Sequence, residues 1–302
     1  MKFKIGVDGG GTKTEGVLVD DAGNVAAIHV GSGSNPSLIG AERARSVVSA
    51  TLDSLRAQAG GIAQADGSKP EIAATLLCMA GSPAMWQEFA VGLVNFGRVT
   101  TVDDSGPVLE LATHGQPGLV LHAGTGSFVA ARGPSGTVHY AGGLGWRLGD
   151  PGSGYDIGRR GIARALLDLQ AGMNSTKLAQ ALCQHMDLDD AAAITRKLYQ
   201  DPEASERIAP FAPVVLQLAK ADHPAAKQVV VQSAVELLDI AVRLGEQLFS
   251  ESMLDRIAAG LSGPILTLPV VRDVLAQRAP FPLAPVEGTP IEGVRRMLAD
   301  MA

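Results

Sequence analysis

Four short stretches of this 302-residue sequence set acidic or hydroxyl side chains beside glycine or at the end of an apolar run. Asp8-Gly9-Gly10-Gly11-Thr12-Lys13-Thr14 separates two apolar segments, and Gly124-Thr125-Gly126-Ser127 does the same later in the chain. A glycine hairpin can expose successive backbone N–H groups in a concavity that suits phosphate oxygens. Thr12 adds a hydroxyl, and Asp8, at a strand end, is placed to hold Mg²⁺ through water. Either stretch alone is also compatible with a plain hairpin turn. Neither is a P-loop or a dinucleotide fingerprint, since both of those open a helix. Two such hairpins together point to a polyphosphate. Asp103-Asp104 closes another apolar run, where one carboxylate can take a proton from an attacking hydroxyl. The competing role is a helix N-cap, which Asp103, Asp104 and Ser105 all suit. The fourth stretch, Gly142-Gly143-Leu144-Gly145-Trp146-Arg147-Leu148-Gly149-Asp150-Pro151-Gly152-Ser153-Gly154, is the densest in glycine. Its entropic cost argues for a ligand-facing wall, with Asp150 bonding hydroxyls and Ser153 capping the next helix.

The elements that would position these residues follow from the hydrophobic pattern. Residues 2–8, 15–20 and 25–30 alternate as three antiparallel strands, with the glycine hairpin between the first two. Ala41–Ala57 has helical spacing, and Ala57–Lys69 is expected to be a loop. Ile72–Met79 is a buried strand, followed by a helix over about 84–94 that starts at Pro83. A short strand Arg98–Val102 and a helix Pro107–Thr113 complete the first half. The order strand, glycine turn, strand, tight turn, strand then recurs at Gly118–His122, Phe128–Ala131 and Thr137–Ala141, a weak internal duplication. Residues 153 to about 250 suggest four or five helices, the clearest Ala225–Phe249. A strand at Arg256–Ala259 runs into Gly260, a helix extends to Arg278, Ala279–Pro285 is an edge strand and Pro290–Met301 a closing helix.

Composition excludes several function classes. Hydrophobic residues are 46% and charged residues 19%, with a formal net charge of −6, which is globular rather than disordered. Lys/Arg runs of five or more are absent, and Trp86 and Trp146 are too few for an aromatic platform, so a nucleic-acid or membrane-surface partner is not expected. Two cysteines, Cys78 and Cys183, make neither a disulfide framework nor a zinc site and suit buried small hydrophobes. No apolar run approaches a membrane span, and the N-terminus offers no signal-peptide core. A soluble, cytoplasmic protein is expected. His122 and His139 are assigned to core or edge positions. The 36 glycines, about 12% against a typical ~7%, concentrate where strands turn.

In order, IGVDGGGTKT, LLCMAGSP, TTVDDSG, LVLHAGTGS, GGLGWRLGDPGSG and IAAGLSGPI resemble the actin/hexokinase ATPase superfamily. The match is nearer to its BadF/BadG/BcrA/BcrD branch, which contains N-acetylglucosamine kinase and glucosamine kinase. The resemblance covers essentially the whole chain. It implies an α/β fold of two duplicated ribonuclease-H-like (actin-like ATPase) domains with an interdomain cleft. The first covers 1–115, with the C-terminal helix 287–302 packing back on it; the second covers 116–286 with a helical insertion. It implies ATP and Mg²⁺, the latter at Asp8, and transfer of the γ-phosphoryl group to the 6-hydroxyl of an amino sugar.

Carried over by motif, Asp8, Gly10, Gly11, Thr12 and Lys13 form the first phosphate loop and Gly124, Thr125 and Gly126 the second. Gly260 falls at the adenosine motif. Asn35, Gly145, Asp150 and the catalytic aspartate face the sugar. Asp104 fits best as the base, since Leu109 and Ala112 then occupy the family's apolar helix positions; alignment on Gly106 favours Asp103. Leu144 and Pro151 replace a tryptophan and a glutamate common in the kinases, which bears on the choice of sugar. The rival within the branch is an ATPase activator of 2-hydroxyacyl-CoA dehydratases, which needs a pair of cysteines per chain for an iron–sulfur cluster. A sugar- or nucleotide-binding regulator is the other alternative. Homodimerisation is compatible with either.

Overall fold

A computed structural model describes residues 2–62, 70–201 and 207–301. The chain divides into two units, Met1–Gly115 with Val286–Ala302 and Gln116–Pro285.

The first unit is built on β1 (Lys2–Gly9), β2 (Lys13–Asp20), β3 (Val25–Ser32), β4 (Glu71–Met79) and β5 (Arg98–Asp103), in spatial order β3-β2-β1-β4-β5. β1–β2–β3 are antiparallel, whereas β4 and β5 run parallel to β1. β1, β2 and β4 are nearly continuous apolar runs because helices cover both faces of the sheet. On one face Val48, Leu52 and Leu55 of α2 (Ala41–Gly61) pack with Phe3, Ile5, Val7 and Trp86. On the other, Ile291, Val294 and Leu298 of the C-terminal helix Pro290–Ala299 pack with Val17, Val19, Leu76 and Cys78. That helix opens with a capping box between Thr289 and Glu292. Between these elements lie α1 (Pro36–Ile39), α3 (Pro83–Val91) and α4 (Ser105–Thr113).

The second unit repeats the order. β6 (Gly118–Ala123), β7 (Ser127–Arg132), β8 (Val138–Gly142), β9 (Ala258–Ser262) and β10 (Leu283–Pro285) are arranged β10-β9-β6-β7-β8, the first sheet's order with β6 in the place of β1. Between β8 and β9 comes the helical insertion: α5 (Gly154–Gln170), α6 (Lys177–Met186), α7 (Ala191–Gln200), a 3₁₀ turn at Ala209–Phe211, α8 (Ala212–Lys220), α9 (Pro224–Leu248) and α10 (Glu251–Leu254). α11 (Pro269–Arg278) links β9 to β10, and Pro290–Ala299 is α12. α9 buries Ala226, Val230, Ala234, Leu237 and Ala241, at three- and four-residue spacing, in the core shared with β6 and β7.

Several element ends differ from the sequence pattern for identifiable reasons. α2 runs on to Gly61 because Ala59 is buried in the core; residues 63–69 of the expected loop lie outside the described residues. α3 stops at Val91, before the left-handed Asn95. α4 starts at Ser105, since Asp103 Oδ1 accepts the Ser105 N–H at 2.9 Å and Pro107 sits in the first turn, where its missing N–H costs little. β9 begins two residues later than expected and runs to Ser262, because its bounds follow its pairing with β6, Gly118 opposite Ala258 through His122 opposite Ser262.

Candidate functional site

In the first unit, parallel pairing sets Gly9 beside Met79 and Met79 beside Asp103, so β1, β4 and β5 end in line. This brings Asp8 and the Asp103-Asp104 pair, remote in sequence, to the same end of the sheet, where ligands of open α/β sheets collect. Asp8 is only 9% exposed, and burial pushes its carboxyl up to about 6. Asp104 is pushed up to about 7, first by burial and then by the charges of Asp103 and Asp8. The same three carboxylates add to burial in raising the Cys78 thiol, beneath them on β4. The two aspartates differ in what their side chains bond. Asp103 takes the local one by accepting the Ser105 N–H, whereas Asp104, at the N-cap position, makes no side-chain cap bond.

The first glycine hairpin is closed by Gly10 N–H to Lys13 O at 3.1 Å, and Gly11, Thr12 and Lys13 are exposed. Two other segments hold it from behind. Ser34 N–H donates to Gly10 O and Ala80 N–H to Gly9 O, both at 2.9 Å, and the buried Thr14 hydroxyl donates to Ser34 Oγ at 2.8 Å. Gly33 lies so close that a Cβ there would sit 2.1 Å from Gly11 O. Asn35 therefore follows directly on the hairpin, and its Oδ1 caps α1 through Ser37 N–H at 2.9 Å. Trp86 Nε1–H ties the third segment down by donating to Ala80 O at 2.8 Å. The Lys13 ammonium pairs with Glu15 at 2.5 Å, so it already has an anion beside it.

The second unit repeats this construction with other side chains. Gly124 N–H closes the hairpin on Gly126 O at 2.9 Å, and Gly154 N–H donates to Gly124 O at 2.8 Å, as Ser34 does to Gly10. Thr125 and Gly126 are exposed. Asp150, 7% exposed, accepts the Gly145 N–H on Oδ1 at 3.0 Å, and its Oδ2 lies 3.5 Å from where a Cβ on Gly126 would be. Burial raises its carboxyl, and the Gly145 and Leu144 N–H groups oppose that rise. Asp150, Gly145 and the second hairpin thus form one cluster. His122 holds the position matching Asp8; burial lowers it to about 4, and its Nδ1 lies 3.1 Å from Ser262 Oγ.

Gly260 is not brought to this cluster. It is buried inside β9 between Val120 and Ala284, because the strand is longer than its apolar letters suggest. The glycine at the strand's end is Gly263, at φ +90°, where a Cβ would lie 2.2 Å from Ala123 O. Ser34 and Gly33 were missed because their role is to support the hairpin backbone. Two shallow cavities of about 340 and 330 Å³, one lined by Arg56, Ala59 and Ile72 and the other by Ala90, Val91 and Val99, include none of these residues.

The model of the BadF/BadG/BcrA/BcrD ATPase family matches residues 5–255. The chain belongs to that family. It is 26% identical over 242 residues to the N-acetylmuramic acid/N-acetylglucosamine kinase of Clostridium acetobutylicum, covering 78% of this chain and 77% of that one. It is also 26% identical to the glucosamine kinase GspK of Vibrio cholerae, over 88% of this chain and 90% of that protein. A candidate N-acetylglucosamine kinase of Chromobacterium violaceum has the same fold, with a TM-score of 0.78 and 28% identity over 99% of both chains.

Proposed function

We propose that this chain is an ATP-dependent hexosamine kinase that transfers the γ-phosphoryl group to the 6-hydroxyl of N-acetylglucosamine or glucosamine. The observation that carries the reading is Asp104, a carboxylate at the N-cap that makes no side-chain cap bond, raised to about 7, at the sheet end that bears Asp8 and the Gly10–Thr12 hairpin. A general base works best with a pKa near the working pH. Asp104 accepts the proton of the attacking hydroxyl as its oxygen bonds to the γ-phosphorus and the bond to the β-phosphate oxygen breaks. Asp103 orients it by fixing the start of α4. Asn35 and Asp150 bind sugar hydroxyls. The backbone N–H groups of the two hairpins receive phosphate oxygens, with Thr12 and Thr125 beside them.

Among the described residues no three His, Cys, Asp or Glu side chains gather into a metal cage. One buried carboxylate beside a phosphate loop suits Mg²⁺, which keeps several waters and takes further oxygens from the nucleotide. Asp8 would hold it, and the ion when bound neutralises phosphate charge. ATP as donor fits a cytoplasmic location.

Within the amino sugars, the wall around Asp150 favours the N-acetyl form. Leu144 is 63% exposed, and Trp146, tilted at 52° against Tyr155 with a ring separation of 5.5 Å, supplies an aromatic surface two residues on from where the kinases carry one. An acetyl methyl gains from such a surface, whereas an ammonium needs a carboxylate. The activator reading is less well supported: Cys78 is fully buried in β4 of one unit and Cys183 sits on α6 of the other. ADP release measured with N-acetylglucosamine, glucosamine, glucose, mannose and no sugar tests the assignment. Release is expected with the two amino sugars and highest kcat/KM with N-acetylglucosamine. Equal turnover of glucose, or release independent of sugar, overturns it.

A further inference from the structure

The turn Asp150–Gly154 is tied down at each of its five residues. Asp150 O accepts Ser153 N–H at 3.0 Å, Pro151 O accepts the Ser127 hydroxyl at 2.7 Å, and Gly152 N–H donates to Ser233 Oγ at 2.8 Å. Ser153 Oγ accepts Asp156 N–H at 3.1 Å, and Gly154 N–H donates to Gly124 O. Four of these partners come from the turn itself, its helix or the neighbouring hairpin. The fifth, Ser233, reaches in from α9, 81 residues further along the chain.

Ser233 is completely buried and does not stand alone. Its hydroxyl donates to Asp156 Oδ2 at 2.6 Å, and that carboxylate, 4% exposed, also accepts Arg160 Nε at 2.6 Å and Arg159 Nη2 at 2.7 Å. Arg160 then forks onto Glu236 of α9. Within this network only Ser233 and Asp156 are buried, and a buried carboxylate is costly unless it is paired and hydrogen-bonded as here. What the network adds is a fixed position for one backbone N–H, that of Gly152, two residues after Asp150.

We infer that Ser233 and Asp156 are positioning residues, which through Gly152 hold the Asp150 turn and through Gly154 hold the second glycine hairpin against it. This rests on the reading of Asp150 as a sugar ligand. The clamp makes the sugar-facing carboxylate and the Gly124–Gly126 backbone a single rigid piece, built within the second unit and anchored in its helical insertion.

The test is Ser233→Ala, which leaves the Gly152 N–H buried without its acceptor. Hydrogen exchange of the backbone amides in 145–156 and 122–127 should accelerate about tenfold or more, while that of the 9–13 hairpin stays unchanged. KM for the amino sugar should rise roughly tenfold with kcat changed less than about threefold, the loss one unsatisfied buried donor accounts for. Thr176→Val is the control. It breaks the hydrogen bond from Thr176 to buried Asp168 at the far end of α5, and should cost comparable thermal stability without moving KM. Asp156→Asn keeps an oxygen for the Ser233 hydroxyl and should restore most of the KM lost in Asp156→Ala. Unchanged exchange in 145–156, or KM and kcat shifts that match the Thr176→Val control, would overturn the clamp. If the wild-type protein releases no ADP with either amino sugar, the kinase reading falls, and the exchange measurement still decides the clamp on its own.

Discussion

The two units solve one backbone problem twice and load it with different chemistry. Each has a five-stranded sheet of the same order, a glycine hairpin between its first two strands, and a bond from a later segment onto the hairpin carbonyl, Ser34 to Gly10 and Gly154 to Gly124. At the residue before the hairpin, the first unit has Asp8, driven up to about 6, and the second has His122, driven down to about 4. Burial shifts each towards its uncharged form, since it disfavours whichever form is charged. Only the first unit adds carboxylates at its fifth strand, Asp103 and Asp104, whereas the corresponding β10 ends on Pro285. On the proposed reading, a phosphate cradle would need only backbone N–H groups, which duplication preserves, whereas proton transfer would need one particular carboxyl, present in one copy.

The sharpest way to break this comparison is at Asp104. Asp104→Asn should lower kcat by roughly 10²–10⁴, the usual worth of a positioned base, and Asp103→Asn by no more than about tenfold. A dead Asp103→Asn enzyme with an active Asp104→Asn one would exchange their roles. The hairpins come next. Neither Gly10 nor Gly124 has a positive φ, contrary to what a glycine turn suggests, and a Cβ would meet nothing closer than 3.8 and 3.4 Å respectively. Gly10→Val and Gly124→Val should therefore fold yet weaken ATP binding by roughly 10–100-fold, measured by calorimetry, as one or two hydrogen bonds to phosphate are lost. An effect in one variant alone would limit phosphate binding to that unit.

Smaller effects follow from the pKa shifts. kcat/KM should rise about tenfold per pH unit up to about 7 and then level off, as Asp104 loses its proton. The same shift acts on stability with the opposite sense. The folded-state value lies above the ordinary carboxylate value near 4, so the cost of ionising Asp104 is absent below about pH 4 and grows as pH rises towards 7. Asp104→Asn should then melt a few degrees above wild type at pH 8 and level with it at pH 4. His122→Gln should matter least. The imidazole is already neutral between pH 6 and 8, so the pH profile should keep its shape and kcat should change less than about threefold. A lost acidic limb in that variant would give His122 a role that its neutral state does not predict.

Much was legible in the letters. The strands, both hairpins, the acidic pair and the glycine wall follow from local rules: alternation, turn residues and glycine clustering. The repeated order of elements was readable for the same reason. Asp103 and Asp104 could not be separated that way, because three adjacent residues cap a helix equally well by type; only the tertiary structure shows that Asp103 accepts the Ser105 N–H while Asp104, at the N-cap position, makes no side-chain cap bond. The run of β9 past Gly260 to Ser262 was not legible for a related reason. The ends of β9 are set by pairing with β6, a partner far away in sequence.

By itself, then, the sequence determined which residues could do chemistry and which elements carry them, since propensity and periodicity act over a few residues. The tertiary structure alone decided which of them meet. Parallel register aligned Asp8 with Asp103-Asp104, the close approach of Gly33 set Asn35 behind the first hairpin, and Ser233 reached from α9 to fix Gly152. Each of these joins segments separated by many residues, and burial, which sets the pKa of Asp8 and Asp104, exists only once those segments have packed.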